Sequence, residues 1–283
     1  MTILDGKKIS QKIKDEIKQE VELLRQNSIL PALAVILVGD NPASKTYVTN
    51  KTKACESCGI KSILYELNEE TTQSELLALI NTLNYDDSID GILVQLPLPK
   101  HINKDIIIQS INSNKDVDGF HPSNVGFLHS DIKGSFLPCT PAGIIELLRA
   151  YDIKLSGLNA VVIGASNIVG KPMAAMLLNE GATVSICHLQ TKDLSLYTKE
   201  AELIVCAAGC VNLLKADMVK EGVIVVDVGI NKVNGVLVGD VDFQNVSKKA
   251  SFISPVPGGV GPMTIAMLLK NTIKSAKNRL KQG

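Results

Sequence analysis

A short apolar run, residues 160–163, leads directly into a turn rich in glycine and serine and then into a helix-compatible segment that begins near Met173. The run is too short to span a membrane, and its place before a turn and a helix predicts a buried parallel strand. Such a unit presents backbone N–H groups and the positive end of the helix dipole to an anion. The turn therefore predicts a pyrophosphate site, although its spacing, Gly164-x-Ser166-x-x-x-Gly170, departs from the usual Gly-x-Gly-x-x-Gly and is a weak signal alone.

The composition excludes several broad classes of protein. A chain of 283 residues that is 45% hydrophobic has room for about two domains. Its 29 basic and 29 acidic residues leave no net charge to attract nucleic acid or anionic lipid. Tryptophan is absent and only 4% of residues are aromatic, which argues against a base-stacking surface. The N-terminal stretch reaches Asp5 before any apolar run, so we expect no signal peptide, no membrane span and a cytoplasmic protein.

Six cysteines are spread along the chain, and Cys55 and Cys58 have the C-x-x-C spacing that metal sites use. The sequence has no second such pair and no nearby H-x-x-x-H to complete a four-ligand zinc site. We therefore expect ordinary reduced thiols and no metal, with a metal site at Cys55 and Cys58 as the alternative.

The first half of the chain alternates helix and strand patterns in the order αβαβαβ, which is typical of a three-layer unit with a parallel sheet. Ser44 is the predicted cap of the second helix, and Thr72 with Glu75 has the spacing of a capping box. The predicted elements are helix 8–26, strand 33–38, helix 44–59, strand 63–67, a helix from 71 to 84 and strand 91–96.

The second half begins with residues 112–140, which lose periodicity and predict a functional loop between domains. We predict an α/β protein of two three-layer domains with parallel sheets flanking a cleft, the second a Rossmann-like dinucleotide-binding domain. The predicted domains are residues 1–138 plus about 263–283, and residues 139–262. The predicted elements are helix 144–151, strands 160–164, 183–187, 203–207 and 223–228, loop 255–262 and helix 263–280.

Tyr47 and Lys51 share one face of the second predicted helix, which follows the carboxyl end of a strand, where parallel sheets place ligands. A hydroxyl beside an amine can handle a proton, with Lys51 as a general base. An exposed lysine beside a packed tyrosine is the alternative. Gln95 is polar inside an apolar run, so its amide must find partners. It forms either a structural hydrogen bond or a contact that orients Lys51 without fixing its charge.

Two further segments have residue types suited to binding. Asp116 and Asp118 lie in a dense polar turn, but Phe120 occupies the position that would supply a third ligand to a cation. One aspartate is expected either to cap a turn or to accept hydrogen bonds from a pterin or guanine. The stretch Pro255–Thr264 combines glycines with rigid prolines, and it forms either the floor of a ligand site or an interdomain hinge.

Taken together, these segments resemble the bifunctional methylenetetrahydrofolate dehydrogenase/methenyltetrahydrofolate cyclohydrolase family. The resemblance runs from the first helix to the last, and several such motifs in one order are highly specific. The motifs are Tyr47-x-x-x-Lys51, Val94-Gln-Leu-Pro-Leu-Pro99, Lys115-Asp-Val-Asp-Gly-Phe120, Pro138-Cys-Thr-Pro141, Gly164-Ala-Ser-Asn-Ile-Val-Gly170, Asp227-Val-Gly-Ile-Asn231 and Pro255-Val-Pro-Gly-Gly-Val-Gly-Pro262.

The resemblance implies roles for individual residues. Lys51 is implied as the essential residue of the cyclohydrolase, with Tyr47 and Gln95 as its helpers and Asp118 as the anchor of the pterin ring. The implied cofactor residues are Gly164, Ala165, Ser166, Leu189 and Ile230. The implied folate-binding residues are Tyr47, Asp118, Pro257, Gly258, Gly259, Val260 and Thr264.

The implied chemistry fits these residue types. Loss of a hydride from methylenetetrahydrofolate requires orientation more than a base, because no proton leaves carbon. Hydrolysis of the methenyl cation to 10-formyltetrahydrofolate requires a general base, and Lys51 is the candidate. The resemblance also implies a homodimer that binds tetrahydrofolate derivatives but no nucleic acid or membrane, and that supplies purine, histidine and methionine biosynthesis.

The nicotinamide cofactor is expected to be NADP, with NAD as the alternative. No acidic residue that would bind the 2′-hydroxyl of NAD occurs before Asp193, and His188 and Lys192 are near. Leu189 and Gln190, however, stand where the family usually has a serine and a basic residue. Two other readings stay open: a monofunctional NAD(P) dehydrogenase on another small substrate, and a nucleotide-sensing module without catalysis.

Overall fold

The computed structural model describes residues 1–280, and residues 281–283, the end of the predicted last domain segment, lie outside the described residues. The chain divides into two compact units. The three-strand unit comprises residues 12–127, 133–137 and the described residues from 265 onward, and the six-strand unit comprises residues 1–11, 128–132 and 138–264.

The structure has strands and helices that alternate along most of the chain. The strands are β1 (Thr2–Ile3), β2 (Ala32–Val38), β3 (Lys61–Leu67), β4 (Gly91–Val94), β5 (Asn159–Ile163), β6 (Thr183–Cys187), β7 (Leu203–Cys206), β8 (Ile224–Asp227), β9 (Asn231–Val233), β10 (Val236–Val238) and β11 (Phe252–Ile253). The helices are α1 (Gly6–Gln26), α2 (Pro42–Ser57), α3 (Gln73–Tyr85), α4 (Lys104–Ser110), α5 (Pro122–His129), α6 (Cys139–Ala150), α7 (Gly170–Asn179), α8 (Ser195–Thr198), α9 (Phe243–Val246) and α10 (Val260–Leu280).

The three-strand unit is built on a parallel sheet in the order β3-β2-β4. Every residue of the central strand β2 is buried, as expected for a parallel strand covered on both faces. Helix α10 is held to this unit by polar contacts: Asn271 Nδ2 donates to Val117 O at 2.8 Å, and Ser275 Oγ donates to Asn114 O at 2.9 Å. These bonds fix the segment that follows β4.

Helix starts follow local capping chemistry. The predicted capping box of α3 is confirmed, because Thr72 Oγ1 accepts from Glu75 N and the Glu75 carboxylate accepts from Thr72 N. The predicted cap of α2 is wrong. Asn41, not Ser44, caps this helix by accepting from the N–H groups of Ala43 and Ser44, and Pro42 occupies the first turn, where its missing N–H costs nothing.

The prediction of a loop over residues 112–140 is also wrong in part. The stretch contains α5, and α6 begins at Cys139, earlier than the predicted residue 144. Asn124 of α5 donates from Nδ2 to Asp116 Oδ2 at 2.8 Å and to Ser113 O at 3.0 Å. These tertiary bonds stabilise a short helix that has no clear apolar period.

The six-strand unit contains a parallel sheet in the order β1-β11-β8-β7-β5-β6. Strand β1 pairs with β11, which is why residues 1–11 belong to this unit rather than to the N-terminal domain of the predicted division. The antiparallel hairpin β9–β10 turns at Asn234 and Gly235, both with positive φ, as two-residue hairpin turns require. The predicted α/β class with two parallel-sheet domains is confirmed.

Candidate active site

Lys51 and Gln95 are brought together at the carboxyl edge of the three-strand sheet. Lys51 lies on α2 with only 8% of its surface exposed, and its Nζ donates to Gln95 Oε1 at 3.1 Å. Gln95 is itself fixed, because its Nε2 donates to Leu96 O at 2.6 Å and its N–H donates to Ile36 O at 2.8 Å. The buried amine therefore faces a neutral, oriented acceptor, and among residues 1–280 it has no carboxylate partner.

Tyr47 lies one helical turn before Lys51 and is half-buried. Burial raises the pKa of its phenol above the usual value of 10.0. The hydroxyl is therefore protonated at neutral pH and can donate a hydrogen bond to a ligand.

The two aspartates after β4 have different environments. Asp116 is buried, and its Oδ2 accepts from His121 N at 2.7 Å and from Asn124 Nδ2 at 2.8 Å. Asp118 is half-buried. A parallel bridge joins Ile92 of β4 to Asp116, and the chain turns directly after it, with Gly119 N donating to Asp116 O at 3.1 Å. Asp116 therefore has a structural role in this turn, and Asp118 stays the predicted anchor of the pterin ring.

The glycine turn after β5 is shaped by close backbone contacts. Gly164 has φ +117°, and a Cβ there would lie 2.2 Å from Ala207 O. A Cβ at Gly170 would lie 2.0 Å from Gly164 O. Ser166 Oγ accepts from the N–H groups of Val169 and Gly170, which closes the turn at the start of α7. This turn at the end of an interior parallel strand, leading into a ten-residue helix, fits a pyrophosphate.

Leu189 and Ile230 follow two other strands of the same sheet. Leu189 is fully exposed in a turn that His188 and Thr191 close, with Thr191 N donating to His188 O at 2.8 Å and His188 N donating to Thr191 Oγ1 at 2.9 Å. Ile230 is 47% exposed after β8. Both residues lie just beyond the carboxyl ends of their strands, which is the edge where parallel sheets of this kind bind dinucleotides.

The predicted folate-pocket stretch 257–260 leads from a tight loop after β11 into Val260, the first residue of α10. A cis peptide precedes Pro257, Gly258 has φ +110°, and Gly259 N donates to Pro255 O at 2.9 Å. Pro257 is exposed, whereas Val260 is only 5% exposed and packs into the core. Thr264 is half-buried, with its hydroxyl 3.0 Å from the hydroxyl of Thr140.

Neither a metal cluster nor a membrane-spanning helix is found in the described part of the chain. All six cysteines are free there, and burial raises the pKa of Cys55 to about 12. No three His, Cys, Asp or Glu side chains of residues 1–280 are grouped to hold a metal, and no helix in that range is long and apolar enough to cross a membrane. A cavity of about 380 Å³ in the six-strand unit has Asp227, Gly239 and Pro255 in its wall.

Sequence reasoning missed two buried carboxylates of the six-strand unit, Asp227 and Asp240. Each carboxylate accepts three hydrogen bonds from loops at the carboxyl ends of strands. The one available signal was an aspartate at the end of an apolar strand run, at Asp227, because such a carboxylate must be bonded to be buried.

Two family models match the chain. The catalytic domain of tetrahydrofolate dehydrogenase/cyclohydrolase matches residues 4–118, and the NAD(P)-binding domain of the same family matches residues 138–280. The bifunctional protein FolD of Campylobacter jejuni is 70% identical over 281 residues, which are 99% of this chain and 100% of that protein.

Solved structures give the same result. The crystal structure of the bifunctional FolD methylenetetrahydrofolate dehydrogenase/cyclohydrolase from Campylobacter jejuni is 70% identical, with a TM-score of 0.98 over 99% of both chains. The Trypanosoma brucei methylenetetrahydrofolate dehydrogenase-cyclohydrolase, solved with NADP and an inhibitor, is 38% identical, with a TM-score of 0.95 over 99% of both chains.

Proposed function

The chain belongs to the tetrahydrofolate dehydrogenase/cyclohydrolase family, and from this we propose how its residues divide the two reactions of a bifunctional enzyme. The protein oxidises methylenetetrahydrofolate to methenyltetrahydrofolate with NADP, and it hydrolyses the product to 10-formyltetrahydrofolate. The family match and the full-length bifunctional relatives do not favour a monofunctional dehydrogenase or a module without catalysis.

We assign cofactor binding to the six-strand unit. Gly164, Ala165 and Ser166 hold the pyrophosphate against the start of α7, where the glycine turn leaves room for the backbone to approach a ligand. Ile230 contacts the nicotinamide ribose through its backbone, and Leu189 contacts the adenosine end. NADP, when bound, supplies a carbon that accepts the hydride. These residues act by orientation, and none of them has to move a proton.

We assign the hydrolytic step to Lys51. Water adds to the methenyl carbon and loses a proton, after which one C–N bond of the ring breaks and its nitrogen is protonated. Lys51 accepts the proton from water, and the Gln95 carbonyl orients its amine at 3.1 Å without stabilising the ammonium as a carboxylate would. Tyr47 donates a hydrogen bond to the substrate. The buried Lys51–Gln95 pair is the observation that carries this proposal.

We assign folate binding to Tyr47, Asp118 and the stretch 257–264. Asp118 accepts from the pterin ring, because its neighbour Asp116 already caps the turn that positions it. Pro257, Gly258, Gly259, Val260 and Thr264 are assigned further contacts to the folate. Tyr47 and Asp118 therefore bind the same substrate that Lys51 hydrolyses.

We further propose a cytoplasmic homodimer that supplies one-carbon units for purine, histidine and methionine biosynthesis.

The preference for NADP over NAD depends on Leu189 and Gln190, which offer no cation to a 2′-phosphate. Parallel initial rates with NADP and NAD on methylenetetrahydrofolate give the ratio of kcat/KM directly.

The test of the proposed division is the substitution Lys51→Met, which keeps the apolar stem of a buried side chain and removes its amine. We expect the rate of methenyl hydrolysis to fall by about 10²–10⁴-fold, the usual contribution of a general base, while hydride transfer falls by less than about tenfold. Lys45→Met is the matched control, since Lys45 lies on the same helix but is exposed and paired with Asp40. An equal fall of both activities in Lys51→Met would show that Lys51 is not the base.

A further inference from the structure

The six-strand unit buries two aspartates that no step above uses. Asp227, the last residue of β8, is 3% exposed, and Asp240, which follows the β9–β10 hairpin, is 0% exposed. Burying a carboxylate costs several kcal/mol unless hydrogen bonds replace the lost water. Two of the bonds that replace it come from Gly229 and Asn231, the residues on either side of Ile230.

Asp240 joins the loop after β7 to the loop after β8. Its Oδ2 accepts from the N–H groups of Ala208 at 2.7 Å and Gly209 at 2.8 Å. Its Oδ1 accepts from Asn231 Nδ2 at 2.8 Å. Asn231 is the residue after Ile230, so one buried carboxylate fixes both loops.

Asp227 adds bonds to the loop after β8, to the segment that starts at Asp240 and to Ser254. Its carboxylate accepts from Gly229 N, Asp240 N and Val241 N at 2.9–3.0 Å. Its own N–H donates to Ser254 Oγ at 2.8 Å, just before the loop that leads to Pro257. The pair therefore connects the loops that follow β7, β8 and β11.

Two glycines make room for this pair in a reciprocal way. A Cβ at Gly229, next to Ile230, would lie 2.3 Å from Asp240 Oδ1. A Cβ at Gly239 would lie 1.8 Å from Asp227 Oδ2. The Asp240 side chain thus occupies the space beside Gly229, and the Asp227 side chain occupies the space beside Gly239. A side chain at either glycine would displace the aspartate packed against it.

The loop that Asp240 holds also supports the pyrophosphate turn. Gly164 packs so closely on Ala207 that a Cβ would lie 2.2 Å from Ala207 O, and the next two residues are the ones bonded to Asp240. A shift of the Ala208–Gly209 loop therefore changes the surface against which Gly164 packs. The same shift releases Asn231 and with it Ile230.

We propose that Asp240 is a positioning residue for the dehydrogenase reaction, which fixes the nicotinamide side of the cofactor site through Ala208, Gly209 and Asn231. This inference rests on the proposed cofactor role of the Gly164 turn and Ile230. It predicts that Asp240 acts on cofactor binding and hydride transfer but not on the hydrolysis assigned to Lys51.

The experiment compares Asp240→Ala, Asp240→Asn and the control Asp242→Ala. Asp242 lies two residues away, and its Oδ2 accepts an exposed bond from Asn245 Nδ2. For Asp240→Ala we expect the dissociation constant of NADP, measured by calorimetry, to rise about tenfold or more, because charge-assisted bonds are lost. Asp240→Asn should lie between this variant and the wild type, since its amide oxygen can still accept from Ala208 and Gly209.

The readouts separate positioning from a merely structural role. We expect methenyl hydrolysis, which needs no cofactor, to stay within about twofold of wild type in Asp240→Asn and in the control. A parallel fall of hydrolysis and NADP affinity, or wild-type NADP affinity in folded Asp240→Ala, would overturn the proposal. If Asp240→Ala does not fold, Asn231→Ala removes one bond of the pair, and an unchanged NADP affinity there would equally overturn it. A wild-type protein that binds NADP but does not oxidise methylenetetrahydrofolate would refute the proposed function instead, because calorimetry requires no turnover.

Discussion

Replacing Gly6 by alanine tests whether the start of the chain supports the loop assigned to folate. Gly6 is the first residue of α1, and a Cβ there would lie 1.7 Å from Gly259 O and 2.7 Å from the Gly259 carbonyl carbon. Ordinary van der Waals contact begins at 3.4 Å. One of the two segments must therefore move by about 3.4 − 1.7 = 1.7 Å, and because the obstacle is backbone, no rotamer change can relieve it.

Both segments are held in place, so the movement has a cost. Asp5 N donates to Tyr151 Oη at 2.8 Å and Lys7 N donates to Gly258 O at 3.1 Å, while Gly259 N donates to Pro255 O at 2.9 Å. Overpacking costs about 1–3 kcal/mol, and loss of the Lys7 bond adds about 1 kcal/mol. At about 2–4 °C per kcal/mol, we expect Tm to fall by roughly 4–16 °C.

The effect on activity follows from the position of the loop. A displaced loop loses its contacts to the bound substrate, and the loss of such uniform binding raises KM. We therefore expect Gly6→Ala to raise KM for the folate substrate in both reactions, measured by initial rates, and to leave the NADP dissociation constant unchanged. Gly261→Ala is the matched control, because Gly261 lies in the first turn of α10 with nothing within 4 Å of its added Cβ.

The possible results lead to different conclusions. Wild-type Tm together with wild-type folate KM in Gly6→Ala would refute the argument from close contact. A lower Tm with an unchanged folate KM would keep the contact but remove residues 257–260 from the pocket wall.

Two further predictions concern the six-strand unit. Gly164→Ala places a Cβ on a residue with φ +117°, 2.2 Å from Ala207 O, so we expect the NADP dissociation constant to rise at least about tenfold. Gly157→Ala is the control, because Gly157 also has positive φ but has open space around its added Cβ, and we expect it to leave the dissociation constant unchanged. A similar rise in both variants would assign the effect to backbone strain rather than to the turn. Burial raises the pKa of Asp227 to about 6, so its stabilising contribution is fully present below about pH 4 and is lost as pH rises through 6. The stability of wild type relative to Asp227→Asn, measured by urea unfolding, should therefore decline by about 2 kcal/mol between pH 4 and 7, and a constant or growing difference would contradict this sign.

Much of the fold could be predicted because its signals are local. Strand β2 and residues 160–163 of β5 are continuous apolar runs, and the capping box of α3 needs only Thr72 and Glu75. The antiparallel hairpin β9–β10 and the two-residue strands β1 and β11 are too short for periodicity to reveal. Helix α5 depends on Asn124 bonding back to Asp116, a tertiary contact that propensity does not contain.

The candidate site divides in the same way. Lys51 and Gln95 could be expected to lie near each other. Lys51 is on the helix that follows β2, Gln95 directly follows β4, and these two parallel strands are neighbours. Spacing could not decide which aspartate of the turn after β4 is structural. That choice depends on burial: Asp116 is 2% exposed and bonded to His121 and Asn124, whereas Asp118 is half-buried.

The residues that hold the candidate site in place could not be predicted from the sequence, because each one contacts a partner from another segment of the chain. Nothing near Gly6 indicates that its missing side chain makes room for Gly259, and nothing near Gly239 indicates Asp227. A glycine that avoids a clash with a distant carboxylate looks identical, in sequence, to a glycine of a plain turn. Motifs therefore reveal the candidate ligand-binding residues of such a site, whereas the residues that hold them in place require coordinates. Substitutions at Gly6 and Asp240 measure how much the site depends on that support.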